Sequence, residues 1–477
     1  MTEDYQNLSR FELEALVEEL QAMVKLQAQQ IAELTRQVAA SQKNSSNSSK
    51  PPSRDIVKPP KPSKGTQAKR KGGGQPGHPM HDRPLFDADQ VSSIEVHELA
   101  ACPCCGGSVA LTENGPQILQ TVELIDTLPW EVTEHQSPAY HCAHCQCVQH
   151  APLPAEIARG GMLGPKLMAL IGYMKGVLHA SFSTIRKYIR DVLKLTISRS
   201  RLAKAVDQVS QSLAFVHDEL GAQLATQPTL RIDETGHKDN GRRHWTWCFR
   251  AEFFTWFHID PTRSSQVLFD VLGEEFKGVF SCDYFSAYRK YMRECDVRVQ
   301  FCLAHLIRDL KYLKTLPDAP TAAYGRRLVK KLRHLFQLIH EGESLAPTTL
   351  TAQLRRASEQ IIRSATTRVP PSSEAQAIAK RFEKHGQAYF QFITTPGIEP
   401  TNNLAEQALR FVVIDRHITQ GTRSVKGQRW CERIWTVLAT CTQQGRSAMQ
   451  FLIEATTAWG QGQPPPSLLP EPVPEHM

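Results

Sequence analysis

The sequence predicts a multidomain α/β protein, and three observations carry that expectation. Its N-terminus holds a heptad pattern, which gives way to a polar, lysine-rich run and then to two clusters of cysteines. From about residue 227, short apolar and alternating runs separated by turn residues read as strands of a mixed sheet. Between residues 318 and 395 a long stretch of helical periodicity interrupts that region. The 477 residues accommodate about three domains of ~150 residues each, and a hydrophobic content of 41% suffices for their cores.

A net charge of +8 suits a polyanionic partner without requiring one. The opening "MTEDYQNLSR" lacks the apolar segment of a secretory signal. The most apolar stretch, "GMLGPKLMALIGYM", is interrupted by Lys166 and falls short of the ~18 residues a membrane span needs. A cytoplasmic chain with no membrane partner is therefore expected. In that compartment the 12 cysteines stay reduced, so clustered ones suit metals better than disulfides.

Residues 1–42 carry the heptads. Leu13, Leu20 and Leu34 share one position, with Gln27 as its polar member, and Val17, Val24 and Ile31 share the other. β-Branched residues at one seam position and leucine at the next favour a parallel two-stranded coiled coil, so a homodimer or higher oligomer is expected. An amphipathic helix docked on the chain's own core is the alternative. Residues 43–78 set nine Lys or Arg against the single acid Asp55, among serine, proline and glycine. Such composition predicts a basic disordered linker with affinity for phosphates.

Residues 79–155 contain "CPCCGG" and "HCAHCQC". Cys102, Cys105, Cys142 and Cys145 form two CxxC pairs, which suit a tetrahedral structural Zn²⁺. Cys104, Cys147, His141 and His144 are rival ligands, and the intervening residues read as strands that bring the pairs together. Residues 156–226 look all-helical. "FSTIRKYIRDVL", "KLTIS" and "RSRLAKAVDQVSQSLAFVHDEL" read as helix, turn, helix, with Ser198 or Ser200 as N-cap. Arg199, Arg201 and Lys204 begin the second helix, where a helix-turn-helix reads DNA. An ordinary helical pair with surface cations has the same appearance.

Residues 227–447 follow as the sheet domain. "TLRIDET", "HWTWCFRAEF" and "FTWFHIDP" form a meander, "SQVLFDVLG" a helix, and "GVFSCD" and "VRVQFCLAHL" two further strands. The helical insertion comes next, then a helix from about Asn403 to Val413; residues 448–477 end in a proline-rich tail expected to be disordered. Three acids recur at element ends. Asp233 can shape a turn before Gly236, Asp283 can cap the helix "YFSAYRKYM", and Glu406 can complete a capping box with Asn403. Together they can also converge on one sheet edge, where carboxylates hold Mg²⁺ or Mn²⁺ for two-metal phosphodiester chemistry. Glu234 is an alternative or assistant to Asp233. His305 and Arg308 stand near the expected meeting point, as core or phosphate-contacting groups. Arg410, Arg416, Arg423, Lys426 and Arg429 follow the third acid, as a DNA path or a solvated face.

"RIDETG", "CDYFSAY", "CLAHLIRDL" and "TNNLAEQALR", in this order, resemble the insertion-sequence-66 family of DDE transposases, and the zinc motif and "GGGQPGH" fit as well. The resemblance implies an RNase H-like catalytic domain with Asp233, Asp283 and Glu406 as its acidic triad and Arg410 as a partner of the third acid. It implies a bacterial-type, nucleoid-associated enzyme that cleaves the ends of an insertion element and joins the 3′-hydroxyl to target DNA, with companion proteins of the same element. Where the family has an "RKNW"-like segment, this chain has "DRHITQGTRS". Two other readings stay open: a nuclease that cleaves without joining, and a catalytically inactive zinc-containing DNA-binding regulator.

Overall fold

The computed structural model describes residues 9–41, 85–97, 100–101, 103–108, 110, 118–121, 130–141, 143–342 and 345–470. The expected linker 43–78, together with Cys102 and Cys142, lies outside the described residues. The chain divides into two compact units, Pro60–Val132 and the remainder, Met1–Pro59 with Thr133–Met477.

In the smaller unit the Phe86 backbone and the Gln120 amide exchange hydrogen bonds of 2.6 and 3.1 Å. Pro103–Cys105 form a turn, and Gly106 follows at φ +73°, a conformation glycine adopts without steric cost.

The larger unit opens with helix α1 (Arg10–Ser41). Its heptad residues Leu13, Val17, Leu20, Val24, Ile31 and Leu34 are 40–64% exposed, an apolar stripe along the helix. Strands β1 (Ala139–His141) and β2 (Val148–His150) form an antiparallel hairpin around the second cysteine cluster. Of the other residues expected to form strands between the cysteine pairs, 118–121 and 130–138 are irregular, while 111–117 and 122–129 lie outside the described residues.

Helices α2 (Ala155–Gly160), α3 (Pro165–Gly176), α4 (Phe182–Asp191), α5 (Arg199–Ser212) and α6 (Ala214–Ala222) follow. Ser181 and Ser198 cap α4 and α5, accepting from the amides of Thr184 and Arg201. The turn expected between the two basic helices spans residues 192–198.

The sheet comprises β3 (Thr229–Asp239), β4 (Arg242–Arg250), β5 (Thr255–Asp260), β6 (Val279–Cys282) and β7 (Arg298–Phe301), ordered β5-β4-β3-β6-β7. The first three run antiparallel, while β6 and β7 are parallel to β3. Asn240 (φ +45°) and Gly241 (φ +77°) make the two-residue turn between β3 and β4, where both central positions need positive φ. Helix α7 (Gln266–Leu272) leads from β5 to β6, and α8 (Ser286–Cys295) from β6 to β7. After α9 (Leu303–Leu313), the expected insertion is built from α10 (Ala319–Glu341), α11 (Pro347–Thr366) and α12 (Ser373–His385). Buried Gln300 of β7 holds the end of this insertion, bonding the Tyr389 carbonyl at 2.9 Å and the Phe392 amide at 3.0 Å.

Helices α13 (Asn403–Thr419), α14 (Val425–Gln443) and α15 (Ala448–Gln461) complete the fold. A continuous apolar core runs from Ile171 and Val209 through Trp247, Phe257 and Phe280 to Trp435 and Leu452, so the basic helices and the sheet share it. Burying one such large side chain contributes roughly 1.5–3 kcal/mol. The expected disorder of the tail is corrected up to residue 470. Leu468 is fully buried, and its carbonyl accepts from the Gln444 side chain at 2.7 Å. Among the described residues no helix is long and apolar enough to cross a membrane.

Candidate active site

Strand β3 carries Asp233 and Glu234 in succession, and strand alternation sends their side chains to opposite faces. In the parallel pairing of β3 with β6, Arg231 stands beside Ser281. Two residues further on, Asp283 comes level with Asp233. Asp283 does not cap α8, whose N-cap is Phe285; instead its Oδ1 accepts from the Phe285 amide at 2.9 Å. Glu406 completes no capping box either. The N-cap of α13 is Asn402, and its buried side chain donates to the Ile232 carbonyl on β3 at 2.8 Å. The Asn402 amide also donates to Cys302 Sγ at 3.2 Å. These two bonds suspend the first turn of α13, with Glu406, over the strand that bears Asp233.

The charges of Asp283 and Glu406 both reach Asp233. Burial pushes the Asp233 carboxyl well above its ordinary value, and the negative charges of Glu234, Asp283 and Glu406 push it further. Burial, then Glu234, raises Asp283 from 3.8 to about 7, with Arg263 pulling the other way. The buried Oε1 of Glu406 has no hydrogen bond, with His305 Nδ1 3.5 Å away. A half-buried carboxylate cluster with an unsatisfied oxygen and mutual repulsion is the donor set a hard divalent cation fits.

His305 and Arg308 both lie on α9 beside Glu406, and the guanidinium is 3.4 Å from Oε2. Burial, then Arg308, holds His305 below the ordinary histidine value. Cys302, His305 and Glu406 also offer ligand atoms within 4.8 Å of one another. Arg308 already places a positive charge at this group, donating to His305 Nε2 at 3.3 Å.

Glu234 is occupied elsewhere. Its buried carboxylate accepts from Arg263 and from the Tyr288 hydroxyl, on the α8 side of the sheet. Sequence reading missed Arg263, Tyr288 and the tether role of Asn402. Arg263 sits in an irregular loop whose sequence, "PTRSS", carries no signal of its partner.

The other candidate residues fall into distinct places. Arg410 is exposed one turn beyond Glu406. Arg416 is turned inward, donating to Thr235 Oγ1 at 3.1 Å and to the Gly236 carbonyl, so it braces β3 just past Asp233. Arg201 is half-buried and donates to Gln208 at 3.3 Å. By contrast, Arg199, Lys204, Arg423 and Lys426 are exposed and line one cleft of about 1030 Å³. Lys426 meets Asp207 there at 3.3 Å, and the pair His179–Asp415, 3.0 Å apart, lies in its wall. Arg429 is paired with Glu432 at 2.8 Å. Cys104, Cys105, Cys145 and Cys147 are exposed and form no disulfide.

The family model described as "Transposase IS66 family" matches residues 160–429, spanning the basic helices, the sheet and the acids. The chain belongs to the IS66 transposase family. The zinc-finger binding domain of IS66 transposases matches residues 100–146, which supports a structural zinc, and a family of unknown function (DUF6444) matches residues 2–84. Both transposase matches imply DNA binding. This IS66-family chain is also similar to two uncharacterized proteins of Sinorhizobium fredii (strain NBRC 101917 / NGR234). Protein y4hP is 22% identical over 395 residues, covering 75% of this chain and 70% of its own length. Protein y4qI is 22% identical over 436 residues, covering 84% and 78%.

Proposed function

We propose that this transposase cleaves the ends of its insertion element and joins the freed 3′-hydroxyl to target DNA, with Asp233, Asp283 and Glu406 as the catalytic acids. The observation that carries the reading is the placement of three carboxylates: Asp283 level with Asp233 on paired strands, and Glu406 on the helix start that Asn402 ties to β3, with the charges of both raising Asp233. Strand order β5-β4-β3-β6-β7, with three antiparallel strands and two parallel, supports an RNase H-like sheet. In this reading the three acids hold Mg²⁺ or Mn²⁺, which when bound activates the attacking oxygen and offsets charge on the leaving oxygen. Asn402 and Arg416 hold β3 against α13, while His305 and Arg308 orient Glu406. Water first attacks the phosphorus at the element end and displaces the 3′-oxygen; that hydroxyl then attacks a target phosphodiester, displacing the target's 3′-oxygen as its strand breaks. Arg199, Lys204, Arg423 and Lys426 contact backbone phosphates of the double-stranded DNA along their shared cleft. An in vitro strand-transfer assay with cognate ends tests the reading. Joined products that require divalent metal support it, and cleavage without joining favours the nuclease.

The zinc-finger match extends to a specific ligand set in this reading: Cys102, Cys105, Cys142 and Cys145. Elemental analysis of the purified chain is expected to give about one zinc per chain, and Cys105→Ser or Cys145→Ser to lower it, since binding energy at such sites is largely folding energy. A folded preparation without zinc refutes this.

The exposed stripe on α1 is read as a dimer seam. A 32-residue helix is about 48 Å long, and among the described residues its apolar edge is left exposed. Val24→Lys buries a charge in that seam and is expected to convert the full-length dimer to monomer in sedimentation equilibrium. An unchanged mass refutes the coiled coil. Companion proteins of the element remain part of this functional reading.

A further inference from the structure

Glu234 is next to a catalytic acid in sequence yet faces away from it. Its carboxylate is fully buried, which by itself is costly, because a buried ion pair loses about as much hydration as it gains in attraction. Arg263 Nε donates to Oε1 at 2.6 Å, and the Tyr288 hydroxyl of α8 donates to Oε2. The Arg263 guanidinium lies over two rings, 3.8 Å from the Phe285 centroid and 4.8 Å from that of Trp245. Phe285 is the residue whose amide holds the Asp283 carboxylate. A chain of contacts therefore runs from β3, beside Asp233, through Glu234 and Arg263 to Phe285, whose amide holds the Asp283 carboxylate.

We propose that Glu234, with Arg263 and Tyr288, is a positioning element that sets the spacing of Asp233 and Asp283 for the divalent cation; the proposal rests on the functional reading above. Two strands joined only by backbone pairing are free to shear where the pairing ends, and β6 ends at Cys282, one residue before Asp283. Glu234 bridges that unpaired point directly through Tyr288 of α8 and indirectly through Arg263, which stacks on Phe285. Without it, the aspartates keep their places in the fold but lose their fixed separation.

The test uses the full-length chain carrying Glu234→Gln or Tyr288→Phe. Mn²⁺ binding is followed without DNA by the paramagnetic resonance signal of free Mn²⁺, and end cleavage is measured at saturating DNA. Losing an outer partner of metal-binding carboxylates is expected to cost about 10–100-fold in metal affinity or rate. Half-saturating Mn²⁺ should rise accordingly, excess Mn²⁺ should recover part of the rate, and gel-shift affinity for end DNA should not move. A purely structural role would instead lower the melting temperature and the folded fraction without changing half-saturating Mn²⁺, and that result overturns the proposal. So does a Glu234→Gln chain that behaves as Asp233→Asn does, because Glu234 would then be a ligand itself. If Glu234→Gln does not fold, Tyr288→Phe carries the test, since it removes one hydroxyl and keeps the ring packing. A parent that cleaves while both variants match it overturns the positioning role alone. A parent without metal-dependent cleavage overturns the functional reading, and this proposal with it.

Discussion

Asp233→Asn, Asp283→Asn and Glu406→Gln are each expected to lower end cleavage by several orders of magnitude, and the two aspartate changes to stabilise the metal-free protein at neutral pH. Amides keep the size and hydrogen bonding of the acids while removing the charge that binds a cation. If these residues were merely caps or turn formers, the change would cost ~1 kcal/mol or less, since asparagine caps about as well as aspartate. A tenfold loss of rate already corresponds to about 1.4 kcal/mol of barrier. The stability effect has a definite sign. Folding raises Asp283 from 3.8 to about 7, so the folded chain keeps a proton that the unfolded chain has released. Its contribution to stability is therefore present in full below about pH 4 and is lost as pH rises through about 7. Each pKa unit is worth about 1.4 kcal/mol. In chelator, the parent's melting temperature should fall between pH 4 and 7, more gently for Asp283→Asn. Mn²⁺ should restore it at pH 7. A flat profile, or near-normal cleavage by any variant, would remove that residue from the site.

Gly421→Ala should unfold the junction between α13 and β3. Gly421 sits at φ +90°, and a Cβ there would stand 2.2 Å from the Lys238 carbonyl oxygen, which is backbone and cannot swing aside. Relief of that overlap requires breaking the Thr422–Lys238 and Asn240–Thr422 backbone bonds, 2.9 and 2.8 Å long. Backbone strain of roughly 1–3 kcal/mol plus about 1 kcal/mol per lost bond gives a destabilisation on the order of 3–5 kcal/mol. Gly445→Ala is the control: its φ is +67°, but a Cβ there meets nothing within 4 Å, so only the backbone cost applies. Chemical denaturation of both variants measures the difference. Equal midpoints would show that the crowding at Lys238 is relieved without cost.

Strands, insertion and basic helices were legible because their signals are local. Alternating runs such as "HWTWCFR" and the Asn240–Gly241 turn carry their own periodicity and dihedral demands. The three acids were legible as candidates by their recurrence at element ends. The grip on them was not. Arg263 and Glu234 meet across 29 residues of sequence, and Asn402 and Ile232 across 170, so no spacing rule points to either pair. Arg416 was misleading for a related reason. It lies in a run of cations that resembles a solvent-facing surface, yet its guanidinium satisfies carbonyl and hydroxyl acceptors of β3. The tail failed differently: its proline content suits disorder, but Leu468 finds a pocket that composition cannot reveal.

The position of the insertion has a consequence during synthesis. Helices α10, α11 and α12 lie between the strands that carry the two aspartates and the helix that carries Glu406. At roughly 5–20 residues per second, a ribosome spends on the order of ten seconds or more on that interval. Throughout it, the nascent sheet exposes Asp233 and Asp283 without their third carboxylate and without Asn402 to fasten α13 to β3. An abandoned or truncated translation product that stops before Glu406 therefore lacks a complete carboxylate cluster, and the cell meets one only on chains read past that residue.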